Sequence, residues 1–294
     1  MNSEQQIPEI DFRNIQQKPF EFNLFTSDQL WNLGGQTGGR LFRPHRLLFY
    51  AILYIAEGEG HHFIDFKRHS YRRGSIIFLS KEQVQAFEPN PNIQATLMIF
   101  TVKFLERSSL GSSLMQQLSL YNYHLYSPIV NLSEEQIPIF TEIVDRITKE
   151  FQAPDDFATE EIIQASLRIL LFLAERKRKN NLDPKKQSFY FEEFQQFQQL
   201  LKTHIFESRQ VKFYADAMQI STKKLNRITY EIMQQPAKLY IDQFLILEIK
   251  RFLMNTALSI KEIAYRTGFE APTNFVKFFK KFEGITPAAF RKQY

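Results

Sequence analysis

The order of apolar and polar positions divides this 294-residue chain into stretches of different period. Between Leu47 and Phe104, short runs of Ile, Leu, Phe and Tyr alternate with turn signals at Gly58, Gly60, Gly74 and the Pro89-Asn-Pro-Asn92 stretch, which predicts successive antiparallel strands. Ile64, Phe66 and Tyr71 surround a polar reversal, Ser75 to Leu79 follows a glycine, and Ile93 to Phe104 offers another long strand. Strands spaced in this way imply a β-sandwich or barrel. From Ser133 the period lengthens. Ser133-Glu-Glu-Gln136 has capping-box spacing, and Ile139, Phe140, Ile143, Val144 and Ile147 follow as one helical face. A second helical run holds Ile162, Ile163, Leu167, Leu170, Leu171 and Leu173. Ser80 to Gln83 fits the same cap inside strand-like sequence, where no helix is expected. The basic run from Arg176 to Lys186 breaks the apolar pattern and reads as a solvated linker, after which Phe191 to Leu201 resumes helical spacing.

The C-terminal third is more sharply punctuated. Ser259 and Glu262 form an S-x-x-E cap, so a helix starts at Ile260, buries Ile263 and Ala264, and ends by Gly268, whose freedom at positive φ suits a C-terminal cap. Pro272 can open the next helix, where no amide donor is needed. In that helix Phe275, Phe279 and Phe282 make an apolar stripe, while Thr273, Asn274, Lys277, Lys280 and Lys281 lie largely elsewhere. A short helix, a turn and a basic helix make up a helix-turn-helix. About fifty residues earlier the arrangement recurs. Tyr214, Ala215 and Met218 face inward, Ser221 caps, and Leu225, Ile228 and Ile232 form a buried stripe opposite Thr222, Lys223, Asn226, Arg227 and Tyr230. Pro236 to Asn255 reads as one long connecting helix. Two readers on a stiff spacer can address major-groove segments about one duplex turn, roughly 34 Å, apart.

Residues 211–291 resemble the DNA-binding domain of the AraC/XylS family of bacterial transcription regulators. The resemblance rests on Ala215, Ser221, Leu225, Arg227, Tyr240, Ile241, the Ser259-Ile-Lys-Glu-Ile-Ala264 run, Gly268-Phe269, Phe275, Phe279-Lys-Lys281, Gly284, Thr286-Pro287 and Arg291. It implies base-reading positions at Lys223, Asn226 and Arg227 in the first reader and at Thr273, Asn274 and Lys277 in the second, with Lys280 or Thr273 able to serve as phosphate contacts. Four positions depart from the family pattern. Gln234 stands for a glycine, Leu245 for an arginine and Ile249 for an alanine, while Pro272 fills a position that is often polar. The strand region is similar to the cupin-like jelly roll that precedes the reader in many members, through Pro44-His45, Gly58-x-Gly60 and Arg73-Gly74 before Ile76-Ile77. That likeness places an effector inside the roll, with Trp31, Arg43 and His45 as candidate contacts.

Charge follows the same division. Residues 185–294 carry 18 Lys plus Arg against 10 Asp plus Glu, and residues 1–184 carry 19 against 22, so the net charge of +5 comes from the C-terminal part. A basic domain gains affinity for a duplex by releasing counterions. The absence of cysteine excludes disulfides and thiolate metal sites, as a reducing cytoplasm permits. No export signal or membrane span is expected. A metal is not expected either, because His61 and His62 are consecutive and so point to opposite sheet faces, and Gln83-Val-Gln85 occupies the place where many cupins carry a further histidine. Leu33 to Gly39 lacks the Gly-Lys-Ser/Thr ending of a phosphate loop and reads as a mobile turn.

The chain is thus expected to be an α+β multidomain protein: a cupin-like sensing domain over 1–132, a helical dimerisation segment over 133–178, a linker over 179–188 and an all-α double helix-turn-helix domain over 189–294. It should act by binding, without a cofactor or catalytic residues, as an effector-responsive regulator, more often an activator. Expected partners are double-stranded DNA, a small-molecule effector, RNA polymerase and a second copy of the chain. A cupin-type enzyme with a DNA-binding appendage and an effector-independent architectural DNA binder are the competing readings.

Overall fold

The computed structural model describes residues 9–36, 39–81, 83–106, 118–123, 126–180, 190–256 and 258–293, which divide into two compact units meeting in sequence near residue 181. The N-terminal unit holds ten strands: β1 (Glu9–Ile10), β2 (Phe22–Thr26), β3 (His45–Leu47), β4 (Tyr50–Glu57), β5 (Gly60–Ile64), β6 (Lys67–Tyr71), β7 (Ser75–Leu79), β8 (Val84–Phe87), β9 (Gln94–Phe100) and β10 (Ile129–Asn131). They form two five-stranded sheets, ordered β1-β3-β8-β5-β6 and β10-β7-β4-β9-β2, antiparallel except for the β1–β3 pair. Among the described residues, helices α1 (Ser27–Gln36), α2 (Val102–Glu106), α3 (Ile137–Gln152) and α4 (Thr159–Asn180) and short 3-10 turns at Phe12–Asn14, Arg40–Phe42 and Ser119–Tyr121 accompany the sheets.

The pleat explains why β4, β7 and β9 read as continuous apolar runs. Successive residues point to opposite faces. Ala51, Leu53, Ile77, Leu79, Leu97 and Ile99 face the first sheet and pack with Ile64 and Phe87, whereas Ile52, Tyr54, Ile76, Phe78, Met98 and Phe100 face the helices and pack with Phe140, Val144, Leu167 and Leu171. A sheet covered on both faces has no polar side to show. The segment over 133–178 is therefore the outer layer of the sandwich as well as a helical hairpin.

Some local expectations change. Ile93 to Phe104 is not one strand, because β9 ends at Phe100 and Val102 begins α2. Leu33 to Gln36 belong to α1 rather than to a turn, and residues 37 and 38 lie outside the described set. Ser80 and Gln83 form no described helix, yet the Gln83 Oε1 accepts the Ser80 N–H at 2.7 Å, so the cap spacing closes a turn. The solvated linker starts later than its charge suggested: α4 continues through Asn180 and buries Arg178, while 181–188 lie outside the described residues.

The C-terminal unit is helical: α5 (Phe191–His204), α6 (Val211–Ala217), α7 (Thr222–Met233), α8 (Ala237–Asn255), α9 (Ile260–Arg266), α10 (Pro272–Glu283) and α11 (Pro287–Gln293). Helix α8 is its spine and packs against α6, α7, α9 and α11. Leu245 and Ile249 are fully buried on it, so the two departures from the family pattern in this helix enlarge the apolar core. Phe194, Phe197, Tyr214 and Tyr240 meet in edge-on and tilted pairs, and the buried Gln198 amide donates to the Tyr240 hydroxyl at 2.6 Å.

Candidate nucleic-acid interface and buried polar relay

Each reader helix is held by its local sequence. The Ser221 hydroxyl accepts the Lys224 N–H at 3.1 Å, which starts α7, and Leu225, Ile228 and Ile232 bury one face. Around α9, Ser259 and Glu262 cap each other reciprocally, at 3.2 Å and 2.7 Å. Gly268 turns the chain at φ 79°, and the N–H groups of Phe269 and Gly268 reach back to Ala264 O at 2.9 Å and Tyr265 O at 3.1 Å, the double return bond of a Schellman stop. Pro272 opens α10, Phe275 and Phe279 are buried, and Phe282 is half-buried. The first unit makes its turn without glycine: Gln219 and Gln234 sit at φ 55° and 54°. Loss of the family glycine at 234 therefore leaves the left-handed stop in place, with the Gln234 Nε2 donating to Tyr230 O at 3.0 Å.

Lys223 and Arg227 on α7, and Thr273, Asn274, Lys277 and Lys280 on α10, are all exposed. The Arg227 guanidinium lies 5.5 Å from the centre of the Tyr190 ring, so one cation of the surface is steadied by an aromatic face. Asn226 is placed differently. Its Nδ2 donates to Thr222 O at 2.9 Å, and its Oδ1 accepts the Ala237 N–H at 3.1 Å, which caps the start of α8. Nothing in the sequence pattern separated this half-buried amide from its exposed neighbours, because its partner lies across a turn.

Of the three effector candidates, the structure brings two together. Trp31 and His45 flank Phe87, with ring centres 6.4 Å and 6.2 Å away, whereas the Arg43 side chain is exposed and meets His45 only through its backbone carbonyl. The Trp31 indole N–H is buried and has no acceptor among the described residues. Sequence reasoning missed the third member of this group. Gln85, on the strand between those of His45 and His62, donates from Nε2 to His45 Nε2 at 3.0 Å and accepts at Oε1 from His62 Nε2 at 2.8 Å. His45 Nδ1 then donates to Arg43 O at 3.0 Å, which makes one directed chain across three adjacent strands. The chain requires a neutral His45, whose Nε2 accepts, whereas His62 donates in either protonation state and is held neutral by its burial. Burial pushes each pKa down to about 4, and for His62 the bond to Gln85 opposes that shift. Among the described residues no three His, Cys, Asp or Glu side chains are grouped to hold a metal ion.

A pKa of about 4 against an unfolded value near 6.5 has a definite sign. The stability of the N-terminal unit is complete above pH 6.5 and falls as pH drops toward 4, since the unfolded chain then binds protons that the folded one refuses. Each ring contributes roughly 3 kcal/mol by pH 4 at full expression. Denaturant unfolding followed by fluorescence of Trp31, the sole tryptophan, should lose midpoint already between pH 6.5 and 5, where carboxylates remain ionised. A flat midpoint over that range would contradict the buried neutral pair.

A model of an AraC-like ligand binding domain matches residues 35–170, and a model of a helix-turn-helix domain matches residues 214–293. A ligand-binding β-sandwich followed by a helix-turn-helix unit defines a DNA-binding transcription regulator. The chain belongs to the AraC family. Among curated relatives, it is 30% identical over 92 residues to the uncharacterized HTH-type transcriptional regulator YisR of Bacillus subtilis (strain 168), a match that covers 31% of this chain and 32% of that one. It is 21% identical over 258 residues to the HTH-type transcriptional activator RhaR of Cronobacter sakazakii, which covers 86% of this chain and 88% of that one. Among solved structures it is similar to ToxT from Vibrio cholerae, with a TM-score of 0.41 and 16% identity over 93% of this chain and 98% of that one. No described helix is long and apolar enough to cross a membrane.

Proposed function

We propose that the chain is an effector-responsive activator that reads two adjacent major-groove segments, one with α7 and one with α10. The observation that carries this reading is the repeated unit: two helices on one spine, α7 opened by the Ser221 cap and α10 by Pro272, each burying an apolar stripe and presenting an exposed basic face. Lys223 and Arg227 serve the first segment, and Thr273, Asn274, Lys277 and Lys280 the second. The activator name of the RhaR relative supports the sign of regulation and the expected contact with RNA polymerase. Site selection with the full chain, repeated with Arg227→Ala and Lys277→Ala, tests the reading. A lost base contact costs roughly 1–3 kcal/mol and relaxes one position, whereas a lost phosphate contact weakens all sites alike. Unchanged affinity and preference in both variants would remove these side chains from the interface.

The effector enters beside Trp31 and His45, where the indole N–H offers a donor in an aromatic surround. It shifts regulation only to the extent that it binds one arrangement of the chain better than another. The functional unit is a homodimer joined through α3 and α4. Ile139, Ile169 and Phe172 are about half exposed, at 52%, 53% and 51%, and the groove between the helices carries Glu142, Arg146 and Glu161 beside Ile143 and Ala165. An apolar strip with charges of both signs is self-complementary across a two-fold axis. Ile169→Asp should convert the dimer to monomer in sedimentation velocity; a variant that sediments as the wild type does would place the interface elsewhere.

A further inference from the structure

We propose that Tyr230 belongs to the base-reading set of α7, in the place where Asn226 is withheld, and that its ring contacts the methyl edge of a thymine. The inference rests on the DNA reading of α7 given above. Asparagine reads adenine by presenting carbonyl and amide together. In Asn226 both are occupied inside the domain, at 2.9 Å and 3.1 Å, and releasing them uncaps the first turn of α8, whose N-cap residue, Pro236, offers no side-chain acceptor. Loss of a helix cap opposes any such rearrangement on DNA.

One turn further along, Tyr230 lies on the same face as Asn226. It is 56% exposed, a large aromatic side chain left in solvent on a helix that otherwise buries its apolar residues. Its side chain has no ring contact or hydrogen bond among the described residues. Lys223, Arg227 and Tyr230 fall at spacings of four and three, which aligns two cations and a phenol along one stripe, and Tyr230 shares a shallow cleft with Arg227, Glu231 and Pro236. The Glu231 carboxylate on the flank of that cleft disfavours an approaching phosphate, so the ring faces a base edge more readily than the backbone. A phenol supplies an apolar body that suits a thymine methyl.

The test uses the full chain and its selected duplex, in which each thymine under the α7 half is replaced in turn by uracil, removing only a methyl group. One replacement should weaken wild-type binding about fourfold, the value of burying one methyl. Tyr230→Ala should be insensitive to that replacement, and Tyr230→Phe should retain the sensitivity; both side chains are at the surface, and circular dichroism checks that the helices persist. Equal sensitivity in wild type and Tyr230→Ala, a selected half-site without thymine, or Tyr230→Phe losing affinity like alanine with no uracil effect would each overturn the proposal. The last result would assign the hydroxyl to a phosphate. A wild-type chain that binds no duplex at all refutes the DNA reading itself, an outcome distinct from these three.

Discussion

Replacing Glu175 with alanine should lower the stability of the N-terminal unit by about 3–5 kcal/mol, the largest single-residue effect expected in this chain. Glu175 is 6% exposed, and its carboxylate accepts three hydrogen bonds from the 3-10 turn Ser119–Tyr121: the Ser119 N–H at 2.9 Å, the Ser119 hydroxyl at 2.8 Å and the Leu120 N–H at 3.2 Å. One turn later Arg178, equally buried, donates to Ser119 O at 3.3 Å and Ser127 O at 3.0 Å, and its guanidinium lies 5.9 Å from the Phe78 ring and 5.3 Å from the Tyr126 ring. Burial pulls the Arg178 pKa down to about 10, and the neighbouring charge of Glu175 opposes that shift. Alanine removes the compensating charge and strands two backbone donors, so each remaining group bears its full desolvation cost. Glutamine keeps the shape and one oxygen acceptor and should lose less. Urea unfolding followed by Trp31 fluorescence measures both variants, and a loss under 1 kcal/mol for alanine would show that the cluster is not the anchor of α4.

Gly268→Ala should destabilise the C-terminal unit by about 3 kcal/mol, combining the left-handed backbone with a steric overlap. A Cβ there would stand 2.3 Å from the carbonyl oxygen of Phe206, a backbone atom that cannot swing aside. Gly284→Ala is the matched control. That residue has nearly the same φ, 74°, but nothing lies within 4 Å of the added carbon, so only the conformational cost of roughly 1 kcal/mol remains. Far-ultraviolet circular dichroism of the helical unit during thermal unfolding reads the difference. Equal losses in the two variants would mean that the Phe206 contact yields and that φ alone decides.

The comparison between these glycines also shows how far the sequence could be read. Gly268 was legible as a helix stop because glycine is the residue that accepts positive φ without penalty, whereas Gly284 entered only as part of the family resemblance. Gln219 and Gln234 were not, since nothing in a glutamine announces that conformation, and here backbone return bonds at both stops and a Gln234 side-chain bond to the preceding turn accompany it. The charged stretch after Leu173 misled for a related reason. Arg176, Lys177 and Lys179 suggested a solvated end, but Arg178 points inward, because a helix can bury one residue of a basic run when acceptors and aromatic rings meet it.

Local chemistry alone settled the helices of both helix-turn-helix units, the caps at Ser221 and Ser259, the opening of α10 at Pro272 and the basic faces, since each depends on residues within a turn or two of one another. The fold in space decided everything that depended on a distant partner. Gln85 looked like a missing histidine until strand pairing set it between residues 40 and 23 positions away. Asn226 reads in the sequence as one more polar position on an exposed face, and only the start of α8, 11 residues on, sets a partner against its amide. Periodicity reports which face a residue occupies; only packing fixes which atoms it meets there, and the availability of a polar side chain for a ligand depends on those atoms.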